Sequence, residues 1–321
     1  MQKRKASRVL FIFVLFCLMG AGLLVYFVKN TDLSTFSLVS PLPHIFKSGG
    51  KRVLASEYWK PSIARVGGDS TITMSAQAVI SYDLTSNRML YGKNTKKRLP
   101  IASLTKIMTA YVALETEDIN KTFRVDDNSA TVGENSMGLA SGEELNLEDL
   151  LYGLILPSGN DAAETIARGS AMGRDNFIYL MNKKTEDLGL SDTRFSNPSG
   201  LEGDGVQYST VYDLLVITRF ALLNPIFAKA VSTYEYEIEA TNHNKQYFLY
   251  NDTNLLTTYP GVKGVKTGFT NEAGMCLVTY IEYKGHRIIS VILNSENRRQ
   301  EMKDLLDYSL QSLDIVPPSH P

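Results

Sequence analysis

The hydrophobic pattern divides the chain into stretches of different period. The segment Val9 to Val28, VLFIFVLFCLMGAGLLVYFV, is apolar throughout and carries no charge. Its twenty residues match the hydrocarbon thickness of a bilayer and exceed the usual apolar core of a signal peptide. A transmembrane anchor is expected here, while Gly20, Ala21 and Gly22 leave room for cleavage. Lys3, Arg4, Lys5 and Arg8 precede the span, which puts residues 1–8 on the cytoplasmic side of a cytoplasmic membrane and the rest of the chain outside. Residues 29–72 mix Pro41, Pro43, Gly49, Gly50, Pro61, Gly67 and Gly68 with polar residues and keep no period, which reads as a linker.

The texture changes at 73. AQAVISYDL is strand-like, and SNRML turns into a second strand. The middle is helical: PIASLTKIMTAYVALE, NLEDLLYGLIL, NDAAETIARGSAMG, RDNFIYLMNKKTEDLGL and STVYDLLVITRFALL all repeat apolar residues at steps of three and four. Late in the chain, GMCLVTYIEYKGHRIISVILN is β-branched and aromatic around a Lys284-Gly285 hairpin turn, and RRQEMKDLLDYSLQSL is helical again. Strands at both ends with helices between them predict an α+β domain over 73–315, its sheet joining the two ends of the segment. Residues 316–321 are a tail.

Composition narrows the chemistry. The chain has 321 residues and a formal net charge of -1, so no basic excess points to nucleic acid. Cys17 lies in the apolar span and Cys276 is the only cysteine beyond it, which rules out a disulfide within the outer part. His44, His243, His286 and His320 do not cluster at metal-ligand spacing, so neither a metal nor another cofactor is expected.

Ser103 and Lys106 stand three residues apart in PIASLTKIMTAYVALE, flanked by apolar residues. On one helix they share a face. A lysine held partly out of water loses its proton more readily, and the neutral amine can take a proton from a serine hydroxyl. The alternative is a capping serine followed by a lysine reaching the surface. Ser-x-x-Lys is expected by chance roughly once in a chain of this length. A second copy, Ser48-Gly49-Gly50-Lys51, lies in a Gly-Gly stretch that fixes no geometry.

Two further motifs follow. Pro157-Ser158-Gly159-Asn160 interrupts two helical patterns and sets Ser158 and Asn160 on a tight loop, although Ser295-Glu296-Asn297 shows that Ser-x-Asn is common. Lys266-Thr267-Gly268 occurs once, in GVKGVKTGFTNEAG, and Gly268 would let a ligand backbone lie against the strand. Ser-x-x-Lys, Ser-x-Asn and Lys-Thr-Gly in this order form the signature of penicillin-binding proteins and serine β-lactamases. Together with FSNPSGL and YSTVYDL, over about residues 75–312, the chain resembles the low-molecular-mass penicillin-binding proteins that are serine D-alanyl-D-alanine carboxypeptidases.

The resemblance implies a β-lactamase/transpeptidase-like fold, an antiparallel sheet flanked by helices with an all-helical subdomain. It implies that Ser103 is the nucleophile, Lys106 its base, Ser158 a proton relay and Asn160 a holder of the substrate amide. Lys266 and Thr267, with Thr270, would bind the terminal carboxylate, with Arg298 added, and Gly268 would belong to the substrate-binding set by letting the substrate close in. The N–H groups of Ser103 and Phe269 would form the oxyanion hole. Peptidoglycan stem peptides and β-lactams are the implied partners. Gln207 and Arg194 stand where many relatives carry histidine, which bears on loop geometry and substrate preference. A β-lactamase is disfavoured because no Glu-x-x-x-Asn lies between Asn160 and Lys266. A Ser-His-Asp hydrolase lacks a histidine near a nucleophile. An endopeptidase cutting cross-links and a binding protein that has lost catalysis remain as alternatives.

Overall fold

A computed structural model describes residues 59–62, 72–253 and 255–321; the apolar span Val9–Val28 and most of the stretch read as a linker lie outside the described residues. The chain enters a sheet through β1 (Ala78–Asp83) and β2 (Arg88–Lys93). A 3₁₀ turn, Ala102–Leu104, leads into α1 (Thr105–Thr116), followed by β3 (Thr122–Arg124), the single turn α2 (Asp127–Ala130) and β4 (Glu144–Asn146). Helices α3 (Leu147–Ile155), α4 (Asn160–Gly169), α5 (Arg174–Asp187), α6 (Val211–Ala221) and α7 (Pro225–Ser232) form the middle of the chain. Then come β5 (Glu235–Ile238), β6 (Tyr247–Tyr250), the single turn α8 (Leu255–Thr258), β7 (Val262–Thr270), β8 (Gly274–Tyr283), β9 (His286–Ser295) and α9 (Arg298–Gln311).

The main sheet is antiparallel with order β2-β1-β9-β8-β7. Ala78 lies opposite Leu293 and Asp83 opposite Ile288, so the two ends of the domain do pair. Every residue of β1 is buried. Ile80 and Tyr82 join the core beneath the middle helices, whereas Val79 faces a second core with Met302, Leu305 and Leu306 of α9. Burial on both faces erases the apolar-polar alternation that marks a half-exposed strand. Lys284 and Gly285 have φ of 49° and 83°, the conformation of the two-residue turn predicted from their sequence. Side-chain caps start α3, α6 and α9: Asn146 accepts from the Asp149 N–H, Thr210 from Asp213 and Asn297 from Gln300. Trp59, in the stretch read as a linker, packs edge-on against Tyr82 at 5.4 Å and donates to Asn87 Oδ1 at 2.9 Å, which seats that part on the sheet.

Three local expectations are corrected. The helix read from Pro100 begins at Thr105, because Ser103 belongs to the preceding 3₁₀ turn and Leu99 is paired through its backbone with Ser209. Asn160 is the first residue of α4 rather than a loop residue. The helical part is not purely helical, since β3 and β4 form a two-stranded ribbon within it. Three-residue strands such as Thr122–Arg124 are too short to carry a period.

Candidate active site

Ser103 sits at the centre of the 3₁₀ turn, after Ala102, whose φ of 48° is uncommon for a residue with a side chain. Two glycines wedge this turn. A Cβ on Gly200, itself at φ 87°, would stand 2.0 Å from the Ala102 carbonyl oxygen. One on Gly268 would stand 3.0 Å from Ile101 O and 3.3 Å from the Ser103 nitrogen. The strained backbone persists because the 197–201 loop and β7 hold it from both sides. The close approach of the Ser103 turn is a second reason for glycine at 268, since a Cβ there would be tighter than ordinary side-chain contacts.

Lys106 lies in the first turn of α1 and is fully buried. Its Nζ is 2.9 Å from Ser103 Oγ, and it donates to Asn160 Oδ1 at 2.8 Å and to the Ser199 carbonyl at 2.8 Å. A neutral amine has two N–H donors and one lone pair. In that form Asn160 Oδ1 and the Ser199 carbonyl would take both donors and leave the lone pair for the Ser103 hydroxyl. Burial holds Lys106 well below the ordinary lysine range, and the positive charge of Lys266 adds to the effect. Asp161, Glu134 and Asp252 oppose it.

Ser158 has φ 62°, and its buried Oγ has no hydrogen-bond partner among the described residues. A strained residue with an unsatisfied buried hydroxyl is a frequent mark of a functional position. Asn160 is fixed at three points: its N–H donates to Asn135 O at 2.8 Å, its Nδ2 donates to Gly133 O at 2.9 Å, and its Oδ1 accepts from Lys106. The loop supplying those carbonyls is anchored by Asp161. That carboxylate accepts from Ser136 Oγ at 2.5 Å and from the N–H groups of Met137, Gly138 and Leu139 at 2.9–3.0 Å.

The opposite wall is β7, the edge strand, which lies against the Ser103 turn. Lys266 is buried and donates to Thr267 O at 3.2 Å. Burial, with the charge of Arg298 adding, lowers its pKa to about 7, while Asp252 works against the shift. Arg298 opens α9 and donates from Nη1 to Gly268 O at 2.6 Å. Thr270 Oγ1 accepts from the Ala273 N–H at 3.1 Å, and its hydroxyl helps hold the Glu202 carboxyl below its usual range.

Ser103, Ser158, Asn160, Thr267, Gly268, Phe269, Thr270 and Arg298 line one cleft of about 310 Å³. Lys106 and Lys266 are buried behind that lining. Residues from four separate parts of the chain thus converge on one hydroxyl. Among the described residues no group of three or more His, Cys, Asp or Glu is placed to hold a metal ion. The family profile described as Peptidase S11, D-alanyl-D-alanine carboxypeptidase, matches residues 65–297.

The chain belongs to that family.

Among its relatives in the D-alanyl-D-alanine carboxypeptidase family, it is 32% identical over 256 residues to DacF of Bacillus subtilis, covering 77% of this chain and 65% of the relative. It is 37% identical over 219 residues to DacB2 of Mycobacterium tuberculosis, covering 68% of this chain and 74% of the relative. The crystal structure of the Streptomyces K15 DD-transpeptidase superposes with a TM-score of 0.71 at 30% identity, covering 75% of this chain and 99% of that one. The match therefore spans slightly less than two thirds of the length of the Bacillus relative.

Several residues of the site escaped the sequence reading. Ser199 contributes a backbone carbonyl, which has no residue signature. Asp161 follows Asn160 directly and looks like an ordinary acidic residue at a helix start. Glu134, Glu202 and Asp252 also line the cleft, from three loops far apart in sequence. Gln207, at a position where this chain departs from many relatives, lies 3.4 Å from Asn197 Oδ1 and 3.3 Å from Leu201 O and braces the loop behind the nucleophile. Arg194 pairs through its backbone with Tyr208 and lines a different groove.

Proposed function

We propose that this chain is a serine D-alanyl-D-alanine carboxypeptidase that removes the terminal D-alanine from peptidoglycan stem pentapeptides through an acyl-enzyme. The observation that carries the reading is the trio of oxygens around Lys106 Nζ, two of which accept its N–H groups while the third is the Ser103 hydroxyl. Ser103 Oγ attacks the carbonyl between the two D-alanines as Lys106 takes its proton. The N–H groups of Ser103 and Phe269 receive the developing oxyanion. Ser158, whose hydroxyl has no competing partner among the described residues, relays the proton to the departing D-alanine. Water then hydrolyses the ester. Asn160 holds the substrate amide, and Lys266, Thr267, Thr270 and Arg298 receive the terminal carboxylate. A β-lactam opens on the same serine.

The apolar segment Val9–Val28 and the basic residues before it support single-pass anchoring in a bacterial cytoplasmic membrane, with the catalytic part on the outer side. Among the described residues no single helix is long and apolar enough to span a membrane.

A second reading concerns the acyl acceptor. The Streptomyces K15 protein is named a DD-transpeptidase in its crystal structure and a D-alanyl-D-alanine carboxypeptidase among curated proteins. An amine in place of water would give transfer rather than hydrolysis. Mass spectrometry of pentapeptide products, with and without an added amine, separates the two: free tetrapeptide in both supports hydrolysis, and an amide-linked product supports transfer. Amidating the terminal D-alanine is expected to lower kcat/KM by about ten- to a hundredfold, ~1.4–2.7 kcal/mol. Equal cleavage of both peptides would instead favour an endopeptidase acting on cross-links.

A further inference from the structure

The cleft gathers three cationic side chains, Lys106, Lys266 and Arg298, and two of them are fully buried. Arg298 stays charged because a guanidinium does not lose its proton near neutral pH. Lys106 must be neutral to act as a base. The charge in contention is that of Lys266, which must be an ammonium to pair with a carboxylate.

The carboxylates that face these groups differ in reach. Asp161 and Glu134 act on Lys106. Asp161 is itself occupied by the N–H groups of the 137–139 segment and by Ser136. Asp252 acts on Lys106, Lys266 and Arg298 alike. The charged groups that bear on Lys266 are Asp252 and Arg298, together with Lys106 from the nucleophile's helix.

The backbone around Asp252 is tied down. Its N–H donates to Leu156 O at 3.1 Å, two residues before Ser158. On one side Asn251 donates from Nδ2 to Thr233 O at 2.9 Å, and on the other the Thr253 N–H donates to Asn251 Oδ1 at 2.8 Å. Asp252 lines the same cleft as Ser158, Thr267 and Arg298. An acidic group there is at first sight misplaced, because it repels the carboxylate the cleft is to hold.

We infer that Asp252 is a positioning residue for the reaction, the counter-charge that keeps Lys266 an ammonium and so lets the cleft bind a terminal carboxylate. The inference rests on the carboxypeptidase reading for its substrate, but its electrostatic content applies to any ligand carboxylate bound there. A carboxylate at 252 repels a ligand carboxylate. Its benefit is confined to the range in which Lys266 would otherwise be neutral. An anion near an amine favours the charged form, so removing it moves the loss of the Lys266 proton to lower pH.

The test measures two rates against pH in the full chain and in Asp252→Asn and Asp252→Glu: acylation by labelled benzylpenicillin, which carries a carboxylate, and D-alanine release from a free-acid pentapeptide. For Asp252→Asn the alkaline fall of both rates is expected at lower pH. The rates should be about three- to tenfold below wild type near pH 8 and within about twofold near pH 6, the size expected of half to one pKa unit. Asp252→Glu should restore the wild-type profile. With an amidated pentapeptide, which offers Lys266 no carboxylate, any alkaline fall should sit at the same pH in all the forms, whatever change the loss of Asp252 makes at the acid limb through Lys106. A uniform loss at every pH, or an unchanged profile, would overturn the inference. If no D-alanine is released by any form while the acylation profile still shifts, the carboxypeptidase reading falls and the role of Asp252 stands.

Discussion

Lys106 Nζ lies 2.9 Å from Ser103 Oγ, and the pair spans the junction between a 3₁₀ turn and an α-helix. Two residues three apart on a continuous helix share a face but are free to point past one another. Here the serine is aimed by the wedged turn and the lysine by Asn160 Oδ1 and Ser199 O, so neither side chain sets the contact alone. The chemistry asked of Lys106, a neutral amine with its lone pair on the serine, depends on both its dryness and its two acceptors.

Arginine at 106 keeps a cation that cannot accept a proton near neutral pH. Lys106→Arg is expected to acylate with penicillin at least about a hundredfold more slowly, the usual scale for loss of a general base. Stopped-flow acylation checks the rate and circular dichroism the fold. A near wild-type rate would remove Lys106 from the role of base.

Asn160→Asp tests the same amine from its other side. A carboxylate in place of an amide oxygen 2.8 Å from Nζ favours the ammonium, so Lys106 gives up its proton only at higher pH. The acid limb of the acylation profile should move up by about one pH unit or more, with a fall of about tenfold or more at neutral pH. The deficit relative to wild type at the same pH should narrow as the pH rises. A loss that is the same at every pH would mean that Asn160 acts by packing alone.

The parts legible in the sequence were those with a period or a fixed spacing. Apolar repeats gave the middle helices, and the Lys284-Gly285 pair gave the hairpin between β8 and β9. The motif residues were readable because each motif places a reactive group at a set offset, and all of them meet in one cleft. What escaped lacks any such mark. The start of α1 is moved to Thr105 by contacts with Gly200 and Gly268, which are about a hundred residues or more away and follow no local pattern. The carbonyl of Ser199 and the carboxylate of Asp252 reach the site through loops whose path only tertiary packing decides.

Gly200→Ala tests the wedge. The added methyl would meet the Ala102 carbonyl at 2.0 Å on a backbone at φ 87°, so the nucleophile's turn must shift. A stability loss of ~1–3 kcal/mol is expected, with acylation slowed about tenfold or more. Gly205→Ala is the control, since Gly205 also has positive φ, 98°, but its Cβ would stand 3.6 Å from the nearest atom, Ser196 Cβ. Thermal melts should show a loss for both variants, and only Gly200→Ala should acylate slowly. Equal acylation rates would remove the wedge from the account.

The central claim, that Ser103 is the nucleophile served by Lys106, is tested most directly by mapping the acyl group. The full chain is incubated with labelled penicillin, digested, and the modified peptide identified by mass spectrometry. The account predicts the adduct on Ser103, its complete loss in Ser103→Ala, and full labelling in Ser48→Ala, whose Ser-x-x-Lys match lies in a Gly-Gly stretch. An adduct on any other residue, or labelling that survives Ser103→Ala, would contradict it.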